Sequence, residues 1–135
     1  MRIDQHVAGL LVGVASAVGT EVLVRRHAPR RRLALLGAGL PVAAAIYPAA
    51  RSGDRHGHHA RREVAALAAY SAWVLASSRA DRDRAARLLA AGWASHAAFD
   101  ALHDGGGHSL IPAWYPALCA GYDVVIAAGL LQRRA

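Results

Sequence analysis

The sequence predicts an all-α protein, a multi-pass transmembrane helical bundle of about five helices that forms a single domain over residues 1–135. Three observations predict it. The hydrophobic residues, 55% of the chain, fall into the blocks 7–24, 33–50, 64–78, 85–102 and 114–131 instead of mixing with charge. Arg-rich or Gly/Pro-rich segments bound every block. All 16 basic side chains are arginine and sit between or beside the blocks, the distribution that the positive-inside rule produces. A helix needs about 20 residues to cross a hydrocarbon layer of about 30 Å. These blocks are slightly short for that, and 64–78 is the weakest.

The formal charge of +7 and the pI near 11.0 would also suit a polyanion. The spacing of the arginines between apolar blocks instead makes the lipid bilayer the partner and argues against nucleic acid. Cys119 is the one cysteine, so no internal disulfide forms. The first block follows Asp4 and His6 and has no cleavage-like site after it, so it reads as a retained span. Gly105-Gly106-Gly107 lacks the Lys of a phosphate loop, and no G-x-S-x-G nucleophile elbow occurs.

The first span carries Gly9, Gly13 and Ala17 at four-residue spacing, a small-residue face for close helix packing that also permits a homo-oligomer. Glu21 precedes Arg25 by one turn, a favourable ion pair or part of an ion path. The loop Arg25-Arg26-His27-Ala28-Pro29-Arg30-Arg31-Arg32 is the strongest cytoplasmic marker. Pro41 and Pro48 in the second span predict a kink, with a re-entrant segment and four full spans as the alternative. The connection from Arg51 to Glu63 is rich in histidine and reads as an outer loop, with His56, His58 and His59 as a tract that can capture metal. Ser77 to Arg84 is a solvated cytoplasmic turn that caps the fourth helix. With five spans, eleven of the 16 arginines lie on the side of the first loop, counting Arg133 and Arg134, and five lie opposite, counting Arg2. That bias places the N-terminus outside and the C-terminus in the cytoplasm.

The fourth span carries the chemistry. His96, Asp100 and His103 fall within an arc of roughly 60° on one helix face, flanked by Trp93 and Asp104. Ionisable groups at such depth are expensive and face a bundle interior or a water-filled cavity. In the fifth span, Asp123 needs a partner. His96 lies eight residues in from Asp104 and Asp123 eight residues in from Tyr115, each roughly 12 Å deep at helical rise, so the two can meet.

The pattern Gly92-Trp93-x2-His96-x3-Asp100-x2-His103, followed by Pro112-x-Trp114-Tyr115-Pro116-x2-Cys119-x2-Tyr122-Asp123, resembles the signature of an uncharacterised family of small bacterial integral membrane proteins. The resemblance covers about the last third of the chain. It implies a helical protein of the bacterial inner membrane and no established activity. In that family the position after His103 often holds a second His, whereas this chain has Asp104.

The sharpest chemical reading is a divalent metal, zinc or non-haem iron, held by His96, Asp100, His103 and Asp123 with Glu63, His59 and His108 completing the coordination from the outer side. Because His96 and His103 are about 10.5 Å apart along the axis, either two ions bind or one His is a ligand while Asp100 orients the other. An outward-opening site with metal-bound water would carry out hydrolysis or oxidation of a lipid-like substrate. Two other classes stand beside it: a buried polar network that fixes helix register without enzymatic activity, and proton or ion conduction through Glu21, His96, Asp100 and Asp123.

Overall fold

The computed structural model describes residues 4–103 and 106–132. The expectations placed on Arg2, Asp104, Arg133 and Arg134 lie outside these residues. Within them the chain forms α1 (Gln5–His27), α2 (Arg32–Ala49), α3 (His58–Ser77), α4 (Arg82–Leu102) and α5 (Tyr115–Leu131), with a 3-10 turn at Pro29–Arg31 between the first two. Caps set two of the starts. The Asp4 carboxylate accepts the His6 N–H at 2.8 Å, and the Asp81 carboxylate accepts the Arg84 N–H at 3.0 Å. Proline marks the start of α5 within its first turn.

Two boundaries differ from the hydropathy blocks. The third helix begins at His58, so His58, His59 and Glu63 stand in its first two turns and not in a loop. Backbone hydrogen bonding continues through polar residues that hydropathy excludes. The second helix runs unbroken through Pro41 and Pro48, so no re-entrant break occurs there. Leu36, Leu40, Ala44 and Tyr47 bury one continuous stripe of it, and that packing outweighs the backbone donor lost at Pro41.

The helices alternate in direction, which sets α1 parallel to α5. These two pack over their whole length through small residues. A Cβ on Gly9 would sit 2.6 Å from the Trp114 carbonyl oxygen, one on Gly121 2.6 Å from that of Leu10, and one on Gly13 would collide with the Leu118 carbonyl. The small-residue face of α1 therefore packs against α5 within the chain. On the other side of α5 lies α4, the central helix, which also packs on α2 and α3. Gly92 lets it approach both, since a Cβ there would lie 2.8 Å from Leu40 Cδ2 and 3.1 Å from the Trp73 ring. Leu36, Leu40, Leu89, Trp93, Ile126 and Leu130 form the apolar core at the α1 C-terminal end of the bundle.

Polarity is distributed opposite to the pattern of a protein in water. Val42, Leu75 and Leu23 are 66%, 61% and 60% exposed, while Glu21, Arg32, Arg51, Glu63, His96, Asp100 and Asp123 are all buried. Two stretches, Gln5–His27 and Pro29–Ala49, are long and apolar enough to cross a membrane, and α5 is apolar but shorter.

Candidate metal centre

The interior ionisable groups form three clusters along the bundle, and their charge balance differs. Near the end where α1 finishes, Glu21 receives Arg32 through two bonds of 2.9 and 2.6 Å and Arg25 through one of 2.9 Å. Arg32 also donates to the Gly129 carbonyl at 2.8 Å. The pair of Glu21 with Arg25 was legible from its one-turn spacing. The stronger partner, Arg32, comes from the next helix and was not. Glu21 is thus an ion-paired strut some two turns along α5 from Asp123, not a neighbour of the histidine stripe.

At the opposite end Glu63 accepts two bonds from Arg51, at 2.8 and 2.5 Å, and one contact of 2.8 Å from His103 Nε2. Burial pushes the Glu63 carboxyl up, but the hydrogen bonds from Arg51 and His103 pull harder and leave it below the usual carboxylate range. The same hydrogen bond raises the Arg51 guanidinium further above its usual value, against the opposing effect of burial. His103 is where α4 ends: its backbone is extended, and its side chain turns to Glu63. It stacks on Phe99 with ring centres 4.8 Å apart. At this end the α2–α3 and α4–α5 connections pair with each other. Ser52 N–H donates to the His108 carbonyl at 2.7 Å and Leu110 N–H to the Ala50 carbonyl at 2.9 Å.

Between these ends lies the third cluster, without an arginine. His96 Nδ1 is 2.7 Å from Asp123 Oδ2 on α5 and 3.2 Å from Asp100 Oδ2 one turn along its own helix. Tyr47 of α2 donates its hydroxyl to Asp100 Oδ1 at 2.8 Å. The three side chains are essentially sealed, at 0–1% exposure. Rings of Tyr70, Phe99 and Trp93 stand 5.1, 6.0 and 6.5 Å from the imidazole. Ligand atoms from His96, Asp100 and Asp123 all lie within 4.8 Å of one another. Four donors placed tetrahedrally at about 2.0–2.2 Å from an ion stand roughly 3.3 Å apart, so small shifts convert this cluster into three of them.

The seven residues expected to hold metal, around two ions or around one with a histidine oriented by Asp100, therefore divide. His96, Asp100 and Asp123 converge. Glu63 and His103 are committed to each other and to Arg51, so neither completes the buried set. His59 sits beside His103 with ring centres 6.2 Å apart. His108 is exposed in the loop, against Gly53. The site is also closed where an outward opening was expected. A cavity of about 390 Å³ lies at the Glu63 end of the bundle, between the α4–α5 loop and Pro116, and Tyr47 and His103 line it. Tyr47 stands between it and Asp100.

Sequence reasoning passed over Tyr47 and Arg51. Tyr47 is the one phenol in the second apolar block, at the level of the stripe on the fourth, and Arg51 ends that block twelve residues before Glu63. Both signals were available as depth. No family model, curated protein or solved structure matches this chain.

Proposed function

We propose that this chain is a small integral membrane protein that holds a divalent metal ion, zinc or iron, among His96, Asp100 and Asp123. One observation carries the reading. A single Nδ1 faces two carboxylate oxygens, and among the described residues Asp100 Oδ2 has no hydrogen bond while neither aspartate meets an arginine. The other two buried acids are each neutralised by guanidinium. One proton on Nδ1 can point at one oxygen, whereas a divalent cation between the three groups serves both carboxylates and offsets their charge.

The membrane assignment rests on the inverted polarity, aliphatic outside and ionic inside, together with the two long apolar stretches. Arginines 25, 26, 30 to 32, 79, 82, 84 and 87 at one end against 51, 55, 61 and 62 at the other favour an inner-membrane topology with the α1 N-terminus outside. Chemistry on a lipid-like substrate needs the outer cavity to extend past Tyr47, which makes that side chain the gate. A second reading has its own support: Tyr47 to Asp100 and His96 to Asp123 are good hydrogen bonds as they stand, and such a network fixes register without a metal.

Metal analysis of the detergent-purified chain, beside His96→Ala and Asp100→Ala, separates the two. Stoichiometric zinc or iron that both substitutions remove while the fold is retained supports the metal centre. A wild-type chain that stays empty after metal-replete preparation leaves the register network.

A further inference from the structure

The outer end of the bundle holds two imidazoles that the buried centre does not use. His103 turns Nε2 to Glu63, and Glu63 is gripped by two N–H groups of Arg51. A carboxylate held in that way accepts and does not donate, so the ring N–H of neutral His103 sits on Nε2 and Nδ1 presents a lone pair. That Nδ1 is buried and has no hydrogen-bond partner among the described residues, and Nδ1 of His59 is in the same condition. Two orphaned imidazole nitrogens in one place call for a common partner.

The rings of His59 and His103 have their centres 6.2 Å apart at an interplanar angle of 71°. Two imidazoles that share an ion at about 2.0–2.1 Å place their ring centres roughly 5–6 Å apart. Beside His103 lies the outer cavity of about 390 Å³, with Ser109 in its wall. It has room for water to fill the remaining coordination positions. On the solvent side His58 lies against His59 with ring centres 3.8 Å apart and planes tilted by 39°, and His56 is exposed.

We propose that His59 and His103 form a second metal site, at the outer mouth of the bundle, for a zinc-class divalent ion. Glu63, itself positioned by Arg51, orients His103 in the carboxylate–histidine–metal arrangement that outer-shell partners provide. Neutral nitrogen donors select zinc, nickel or copper over magnesium and calcium, which prefer oxygen. The site is separate from the buried centre: it shares no ligand with His96, Asp100 or Asp123.

The test is a Zn2+ titration of the tag-free full chain in detergent, with wild type beside His59→Ala, His103→Ala and a His56→Ala/His58→Ala control. Both single variants are expected to weaken one class of Zn2+ binding by more than the roughly 10–100-fold loss that removal of an outer-shell partner produces. The control should bind as wild type does, and excess Mg2+ should not displace the ion. Wild-type affinity in His59→Ala overturns the proposal, as does a loss confined to the control, which would assign the ion to the exposed tract. His59 is only half-buried, so that variant decides the matter if His103→Ala fails to fold. Zn2+ binding that His59→Ala leaves at wild-type strength and His96→Ala abolishes overturns the proposal and assigns the ion to the buried centre.

Discussion

The Tyr47 hydroxyl donates to Asp100 Oδ1 at 2.8 Å and its side chain lines the outer cavity, so one phenol separates the cavity from the buried imidazole centre. Tyr47→Phe keeps the ring contacts with Phe99 and His103 and removes only that donor. The variant should lose about 1–3 kcal/mol of stability, the cost of leaving a buried acceptor unmade. Chelator should also strip metal from it faster than from wild type. Denaturant unfolding and a release time course check both, and a variant equal to wild type in each would show that Tyr47 neither satisfies Asp100 nor gates the site.

The contact between His96 and Asp123 joins α4 to α5 and should be a coupled pair. His96→Ala leaves Asp123 buried without its imidazole, and breaking such a pair costs about 3–5 kcal/mol. His96→Leu with Asp123→Leu replaces both by apolar groups and should cost less than the sum of the single changes, with a coupling of about 0.5–3 kcal/mol. Thermal or denaturant unfolding of the four chains of this cycle measures it. Strict additivity would mean that the 2.7 Å contact contributes nothing to holding the helices together.

Along the α1 and α5 seam the prediction is positional. Gly13→Leu drives a side chain into the Leu118 carbonyl, whereas a Cβ on Gly19 meets nothing within 4 Å. Backbone cannot give way as a flexible side chain can, so Gly13→Leu should detach α1 and Gly19→Leu should be silent. Cysteines placed at Thr20 and Tyr122, whose side chains meet across the seam at 3.2 Å, and joined by a short bifunctional reagent provide the readout. Cross-linking that survives Gly13→Leu would count against the seam.

Depth and periodicity made much of this legible. Counting inward from two helix ends paired His96 with Asp123, and four-residue spacing marked Gly9, Gly13 and Ala17 as a packing face. What stayed hidden depended on partners from other segments. Arg51, Glu63 and His103 come from three parts of the chain, and no local pattern announces that a guanidinium will claim the glutamate first. The stripe of His96, Asp100 and His103 assumed a helix continuing through residue 103. The chain leaves the helix there, and the last histidine joins the outer cluster. Hydropathy also placed the third helix six residues late, because it weighs side chains while the helix is propagated by backbone bonds.

The outer cluster carries a pH signature. Glu63 has its carboxyl below the reference value of 4.5 in the folded chain. A carboxyl lowered by folding contributes stability that is fully present above the unfolded value and is lost as pH falls through the folded one. Arg51 is held above its usual value by its hydrogen bond to Glu63, so its contribution does not change in the acid range. Glu63→Gln removes the titrating carboxylate while keeping the shape. The stability gap between wild type and Glu63→Gln should therefore close as pH falls below about 4.5. Unfolding midpoints of both chains across this range test it. A gap that stays constant well below the reference value would show that Glu63 is not the carboxylate on which Arg51 and His103 converge.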